Sequence, residues 1–306
     1  MTATRASVTA TPAGLLRAVE GRYGLSHLRA SGRLQGGYEN DLLRVRSGEH
    51  SLVVRIEVGA AKPESVRWEH ELVADLALRL PEVVAPLLAL DGSSFFLHGG
   101  RAVSVLPYVD GRPAERDLDW EVAAEMLGRL HAEAATLKAE RRPGHPPLTG
   151  RDWSCPDVSG APAAIRERAR ELGAALRRCR SEADSLPLGP IHGDYHRGNV
   201  LVRDGRVVGL VDWGEAHVDS FAYELANGVW EFCVDKARDD FDRARGRAFV
   251  GAYRRAGGVV PEEHDPLLVP LIRCRRALEV RTALLDPRED DWDYQLHNLR
   301  SLQHLA

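Results

Sequence analysis

Hydrophobic and polar residues follow two different patterns along the chain. Up to residue 107, most apolar runs are short and are separated by turns that contain glycine, which is typical of a sheet of short strands. Such runs occupy residues 33–35, 42–45, 51–57, 95–97 and 101–106. Residues 63–80 instead place Val66, Val73 and Leu76 on one face at helical spacing. The pattern predicts a five-stranded antiparallel sheet and a helix.

From residue 108 onward, apolar residues recur mainly at helical spacing. Helices are predicted at residues 118–138, 161–183, 221–234, 239–257, 265–285 and 292–305, and another precedes the sheet at residues 15–23. The change of pattern predicts an α+β protein with two lobes. Residues 1–107 form an N-terminal lobe that is mostly sheet, and residues 108–306 form a helical C-terminal lobe.

One polar segment of the C-terminal lobe carries the chemistry. Residues 192–199 read His-Gly-Asp-Tyr-His-Arg-Gly-Asn. Asp194 and Asn199 are five residues apart, the spacing of a loop in which a carboxylate takes a proton from an attacking hydroxyl and an amide oxygen holds a metal ion. This spacing indicates phosphoryl transfer, with Asp194 as the base.

A further carboxylate follows a predicted hairpin. The apolar runs at residues 200–202 and 207–211 flank the turn Arg-Asp-Gly-Arg, so we expect the hairpin to bring Asn199 close to Asp212, which begins Asp-Trp-Gly. Transfer of a phosphoryl group from ATP needs oxygen ligands that hold hard cations over the phosphates, and no nucleophilic serine or cysteine. Asn199 and Asp212 are therefore the predicted ligands of Mg²⁺.

The segment from His192 to the Asp-Trp-Gly sequence resembles the aminoglycoside phosphotransferase family, the small-molecule branch of the protein-kinase-like fold. The resemblance covers roughly residues 33–230. It implies a two-lobed kinase-like fold and transfer of the γ-phosphoryl group of ATP to a hydroxyl of a small molecule.

The resemblance also implies a nucleotide site with components in the N-terminal lobe. The first turn of the sheet contains Gly36 and Gly37, which we expect over the phosphates, although the turn does not match the protein-kinase sequence Gly-x-Gly-x-x-Gly. Backbone groups near Val105, Leu106 and Tyr108 are expected to contact adenine, because this strand leaves the sheet toward the second lobe. An ordinary hairpin turn and an ordinary linker would have the same sequences.

Arg55 stands where a protein kinase has the lysine that pairs with phosphates. A guanidinium group stays charged and can hold phosphate oxygens with two parallel donors. Glu69 lies on the apolar face of the predicted helix and is the expected ion-pair partner of Arg55, with Glu71 as the alternative. An exposed Arg55 with no part in nucleotide binding remains the competing interpretation.

The final quarter of the chain is where this family sets acceptor specificity, and it contains an acidic cluster. The candidate acceptor residues are Glu231, Asp235, Asp290, Asp291 and Trp292. Carboxylates with an aromatic face would attract a cationic acceptor, so an aminoglycoside-like antibiotic is the first expectation. A metabolic acceptor such as homoserine or choline is the alternative, and a solvated acidic turn would explain the same residues.

Composition limits the remaining possibilities. The net charge of −4 offers no general attraction to nucleic acid or to an anionic membrane. The four cysteines are widely spaced, which indicates neither a zinc site nor a disulfide framework and favours a reduced, cytoplasmic protein. We expect no signal peptide and no membrane span, because no apolar run is long enough.

Two other classes of function stay open at this point. His192, Asp194 and His196 could form a metal site of a hydrolase, with Asp212 and His217 as further ligands. Alternatively, the altered glycine turn and the arginine in place of lysine could belong to a nucleotide-binding protein that has lost catalysis.

Overall fold

The computed structural model describes residues 14–34, 40–182, 186–235, 240–285 and 292–304. These residues form two compact units. The first contains the described residues up to Ala77 together with Val84–Asp110, and the second contains Leu78–Val83 and the described residues from Gly111 onward.

The predicted helices and sheet strands occur in the expected order, with differences among the helices. The helix predicted at residues 161–183 is divided into Ala163–Arg166 and Ala169–Glu182, and the helix predicted at residues 118–138 ends at Ala134. The helices are α1 (Leu15–Tyr23), α2 (Pro63–Ala77), α3 (Asp119–Ala134), α4 (Ala163–Arg166), α5 (Ala169–Glu182), α6 (Phe221–Cys233), α7 (Arg243–Arg255), α8 (Asp265–Leu285) and α9 (Trp292–His304). The strands are β1 (Arg29–Leu34), β2 (Asn40–Ser47), β3 (His50–Glu57), β4 (Phe96–His98), β5 (Arg101–Pro107), β6 (Arg112–Pro113), β7 (Leu188–Ile191), β8 (Val200–Arg203), β9 (Arg206–Leu210), β10 (His217–Ser220), β11 (Val234–Asp235) and β12 (Asp240–Phe241).

The first unit is built on the predicted five-stranded sheet. Its strands lie in the order β1-β2-β3-β5-β4 and every pair is antiparallel. Leu52, Val54 and Ile56 alternate along β3 and are buried in the core of this unit. Helix α2 ends at Ala77, three residues before the predicted end, and Leu80 is disfavoured in a helix because Pro81 follows it.

The second unit is organised around α6. All thirteen residues of α6 are buried, and the helix packs against α3, α7 and α8. The predicted hairpin is present as β8 and β9. The antiparallel pair of β7 and β10 was not predicted, because four-residue strands such as Leu-Gly-Pro-Ile are too short to show a period. These short strands matter because the polar segment at residues 192–199 lies between β7 and β8.

A disulfide links α5 to α8 and contradicts the expectation drawn from cysteine spacing. Cys179 and Cys274 are bonded, and their Cα atoms are 5.3 Å apart. Ninety-five residues separate them in sequence, so only the packing of α5 against α8 brings them together. The expectation failed because spacing reports local motifs and carries no information on distant pairs.

Candidate active site

The loop at residues 192–199 is held in a shape that its two glycines permit. Gly193 has φ of +83°, and a Cβ atom there would lie 2.0 Å from the carbonyl oxygen of Glu215. At Gly198 a Cβ would lie 2.7 Å from Cε1 of His196, whose Nδ1 accepts a hydrogen bond from the Gly198 N–H. Both glycines are therefore required by close approach.

Asp194, the predicted base, is oriented through both of its carboxylate oxygens. Arg275 Nη2 lies 3.3 Å from Oδ1, and His196 Nε2 lies 3.3 Å from Oδ2. Because His196 Nδ1 is an acceptor, the ring proton is on Nε2, which donates a hydrogen bond to Asp194. Burial disfavours the charge of Asp194, but the hydrogen bond from His196 and the charge of Arg275 outweigh it and hold the pKa well below its usual range. Asp194 is thus ionised at neutral pH.

Asn199 lies next to Asp194, as its spacing in the sequence predicts. Its Nδ2 donates to the Asp194 backbone oxygen at 2.9 Å and lies 3.4 Å from Asp194 Oδ2. With the amide nitrogen turned toward Asp194, the amide oxygen is the atom of Asn199 that can face a cation.

The hairpin carries the other predicted ligand to the same end as Asn199. Val200 pairs with Leu210, and the Val211 N–H donates to the Asn199 carbonyl at 3.0 Å, directly before Asp212. Asp212 has φ of +61°, a left-handed conformation that is uncommon for a residue other than glycine and is concentrated at functional sites. The geometry expected of the hairpin is therefore present.

A buried glutamate of α6 holds the backbone at the start of the loop. Glu224 accepts hydrogen bonds from the backbone N–H groups of His192, at 3.1 Å, and Gly193, at 2.6 Å. Its carboxylate also lies 2.9 Å from His131 Nε2, and the Tyr253 hydroxyl lies 2.9 Å from the other nitrogen of that ring. Because the Tyr253 oxygen accepts from the Val260 N–H, its own proton is donated to His131, which in turn donates to Glu224.

Burial disfavours the charge of Glu224, but the hydrogen bond from His131 and the other charges and donors around it leave its pKa below the ordinary value. Neither Glu224 nor His131 was assigned a role from the sequence. The only signal was that Glu224 follows the Asp-Trp-Gly sequence where the family has an aspartate.

The contacts of His192 do not match the hydrolase interpretation, in which this residue binds a metal ion. His192 Nε2 donates to the Val211 carbonyl, and its Nδ1 accepts from the Asp194 N–H, so both nitrogens are already used. Across the ranges that the structure describes, no group of three or more histidine, cysteine, aspartate or glutamate side chains could hold a metal ion.

In the first unit, Arg55 forms the predicted ion pair. Arg55 Nη1 lies 2.5 Å from Glu69 Oε1, and the two residues are only 6% and 2% exposed. Glu71 is exposed, so it is not the partner. Arg55 Nη2 also donates to His70 Nε2 at 2.9 Å, and His70 Nδ1 is then the atom that donates to Ser94 Oγ. The interpretation of Arg55 as an exposed arginine is wrong, and His70 is a partner that the sequence did not reveal.

Of the residues proposed to contact the nucleotide base and phosphates, the structure describes those on the strand that leaves the sheet. The Tyr108 N–H donates to the Ser51 carbonyl, and the Val105 carbonyl accepts from the Leu87 N–H. Leu106 pairs with Val53 across the sheet. Adenine contacts along this strand stay a prediction. Gly36 and Gly37 lie outside the described residues.

Glu231, one of the proposed acceptor residues, is not an exposed acidic group. Glu231 is 9% exposed and pairs with Arg276 Nη1 at 3.3 Å. Arg276 also pairs with Glu279 and donates to Asn227 Oδ1. Arg276 thus offsets the charge of Glu231, which the sequence suggested was available.

The other acceptor candidates are less constrained. Trp292 begins α9 and is half-buried, and Asp235 ends β11, paired with Asp240 of β12. Asp290 and Asp291 lie outside the described residues. Their role in acceptor binding stays a prediction.

Solved structures show which fold this is. An amicoumacin kinase, hAmiN, in complex with AMP-PNP, Ca²⁺ and Ami is 16% identical and covers 97% of this chain and 93% of its own, with a TM-score of 0.69. A microcompartment-associated aminopropanol kinase is 18% identical and covers 95% and 94%, with a TM-score of 0.70. The predicted two-lobed, protein-kinase-like α+β fold is confirmed.

Sequence relatives include two homoserine kinases. The protein from Gluconacetobacter diazotrophicus is 28% identical over 289 residues, which are 91% of this chain and 86% of that protein. The protein from Methylobacillus flagellatus is 32% identical over 169 residues, and the match spans about half of each chain, 54% of this one and 51% of the relative.

The family itself is identified by a match over most of the chain. The profile of the phosphotransferase enzyme family (APH) matches residues 32–267, which include Arg55, Glu69 and the whole of the loop around Asp194. None of the helices within the described residues has the length and apolar composition needed to cross a membrane. The chain belongs to the phosphotransferase enzyme family, as its resemblance to aminoglycoside phosphotransferases led us to expect.

Proposed function

We propose that this protein is an ATP-dependent kinase that transfers the γ-phosphoryl group to the hydroxyl of a small amino alcohol or hydroxy amino acid, with homoserine as the leading candidate. The observation that carries the proposal is the ionised carboxylate of Asp194, oriented through both oxygens and next to Asn199. The names of the sequence relatives support homoserine as the acceptor.

Asp194 acts on the acceptor hydroxyl. Its carboxylate accepts the hydroxyl hydrogen and orients the oxygen for in-line attack on the γ-phosphorus of ATP. As the bond from the acceptor oxygen to phosphorus forms, the bond between phosphorus and the β–γ bridging oxygen breaks, and ADP leaves. The hydroxyl proton passes to Asp194. Since the reaction demands little covalent work from the protein, the main contribution of Asp194 is position.

Asn199 and Asp212 fit a magnesium ion that accompanies the nucleotide. Mg²⁺ is usually held by one or two carboxylates together with substrate phosphates, and it prefers oxygen ligands. Asp212 supplies a carboxylate, and the amide oxygen of Asn199 faces away from Asp194 because the amide nitrogen bonds to that residue. When bound, the ion supplies positive charge that offsets the charge of the phosphates.

Arg55 is proposed to bind the phosphates from the first unit. Glu69 and His70 hold its guanidinium group at two of its nitrogens, so the side chain is positioned before a nucleotide binds. A pre-positioned cation loses less entropy on binding than a mobile one. Arginine would thus replace the usual lysine of this strand.

The charges around α8 favour a small acceptor over a polycation. Glu231 and Glu279 each pair with Arg276, and Glu279 also pairs with Arg275. Carboxylates that are already paired attract an aminoglycoside-like cation less strongly than free ones. The cationic antibiotic expected from the acidic cluster is the second candidate, and Asp290 and Asp291 are the residues on which it now depends.

The acceptor is tested by measuring ADP release and the phosphorylated product, the latter by ³¹P NMR. We expect kcat/KM for homoserine to exceed the values for aminopropanol, choline, spectinomycin and hygromycin B. 2-Aminobutyrate, which is homoserine without the hydroxyl, should give no product and serves as the matched control. A higher kcat/KM for an antibiotic would replace homoserine by the second candidate, and absence of any phosphorylated alcohol would contradict the proposed function.

A further inference from the structure

Arg275 reaches the catalytic loop from a helix far away in the sequence. It lies in α8, 81 residues after Asp194, and its side chain is 19% exposed. Its Nη2 donates to Asp194 Oδ1 at 3.3 Å, and its Nη1 donates to the Gly193 carbonyl at 3.0 Å. Its Nε donates to Glu279 Oε1, one turn along α8, at 2.9 Å. All three nitrogens of the guanidinium group are therefore engaged, and a planar group held in this way has little freedom.

The backbone beside Asp194 is held from two sides. Glu224 of α6 accepts the Gly193 N–H, and Arg275 of α8 binds the Gly193 carbonyl. The two helices thus fix the peptide groups that set the direction of the Asp194 side chain. Within the described residues, His196 and Asn199 of the loop lie near Oδ2, whereas Arg275 ties the carboxylate to a separate helix through Oδ1.

We infer that Arg275 is a positioning residue for the phosphoryl transfer, which fixes the Asp194 carboxylate and couples α8 to the catalytic loop. The inference rests on the proposed function, in which Asp194 orients the acceptor hydroxyl. In a reaction that depends on position, a displacement of about 1 Å costs about 100-fold in rate. Loss of Arg275 should therefore lower kcat. The affinity for ATP should stay the same, because the contacts of Arg275 within the described residues are with Asp194, Gly193 and Glu279, which are not assigned to the nucleotide.

The matched control lies on the same helix. Arg281 is similarly buried, with a side chain that is 14% exposed, and it pairs with the exposed Asp152 and donates to the Ser154 carbonyl. Its contacts within the described residues thus lie away from the loop. We expect Arg275→Ala to lower kcat about 100-fold with KM for ATP within twofold of wild type, whereas Arg281→Ala leaves both within twofold. Added guanidinium chloride, compared with sodium chloride at equal ionic strength, should raise kcat of Arg275→Ala at least tenfold and leave Arg281→Ala unchanged.

Thermal unfolding tests the contact between Arg275 and Asp194 without an activity measurement. The changes in Tm for Arg275→Ala, Asp194→Ala and the double variant should be non-additive by roughly 2–6 °C, because groups in contact are coupled. Additive changes in Tm would overturn the inference. So would a kcat of Arg275→Ala within twofold of wild type, or a KM for ATP of this variant that rises as much as its kcat falls. A kcat of Arg275→Ala that guanidinium does not raise would overturn it as well. A wild-type protein that phosphorylates no alcohol would contradict the proposed function, and the melting cycle would still decide whether Arg275 holds Asp194.

Discussion

Glu224 offers a sharp test of how the catalytic loop is supported. The Glu224→Gln substitution keeps the size of the side chain and removes its charge. The carboxylate now meets three donors, which are the N–H groups of His192 and Gly193 and Nε2–H of His131. A glutamine offers one acceptor oxygen and turns an NH₂ group toward at least one of these donors.

The expected loss of stability follows from the number of hydrogen bonds that glutamine cannot accept. A hydrogen bond to a charged group contributes about 1.5–3 kcal/mol, and leaving a buried donor without a partner costs about 1–3 kcal/mol. Losing one or two of the three contacts should therefore destabilise the second unit by about 2–5 kcal/mol. For a unit of this size the corresponding decrease in Tm is roughly 5–15 °C.

The assay is thermal unfolding followed by circular dichroism, with Glu133→Gln as the matched control. Glu133 lies on α3 and pairs with Arg79 in an exposed salt bridge, which should contribute no more than about 1 kcal/mol. Glu224→Gln should also lower kcat, because the Gly193 peptide beside Asp194 loses its support. A Tm within about 2 °C of the control would refute the reasoning that Glu224 holds the loop.

Three further predictions concern the glycine of the loop, the cation of the first unit and the metal. Gly193→Ala should lower the free energy of unfolding, measured in urea, by more than about 3 kcal/mol, because the new Cβ would overlap the Glu215 carbonyl. Gly99→Ala is the control, since Gly99 has φ of +59° and open space around it, and it should lower the free energy of unfolding by about 1 kcal/mol. Arg55→Lys should weaken ATP binding roughly tenfold by calorimetry, since an ammonium group lacks the planar fork, and an unchanged affinity would remove Arg55 from the phosphate site. Asp212→Asn should abolish the magnesium-dependent rise in Tm that ATP produces, and Asp212 would be excluded as a ligand if the rise persisted.

The sheet, most helices and the central loop were predictable because their signals are local. The strand runs, the helical spacing of α2 and the five-residue interval from Asp194 to Asn199 are properties of neighbouring residues. Helical spacing also distinguished Glu69 from Glu71 as the partner of Arg55, and the structure agrees.

The contacts that were not predicted join residues that only tertiary packing brings together. Arg275 meets Asp194, and Cys179 meets Cys274, across 81 and 95 residues of sequence. His131 was assigned no role because nothing near it in sequence identifies Glu224 as its partner. Glu231 was read as an available charge for the same reason, because its partner Arg276 lies 45 residues further along the chain.

The proposed role of Asp194, to orient the acceptor hydroxyl for phosphoryl transfer, is tested by measuring kcat and the Kd of ATP for Asp194→Asn. We expect kcat to fall at least about 100-fold while the Kd of ATP changes less than about threefold, because Asp194 is proposed to contact the acceptor and not the nucleotide. Asp204→Asn, in the exposed turn between β8 and β9, should leave both values unchanged. An Asp194→Asn protein with kcat within tenfold of wild type would contradict the account.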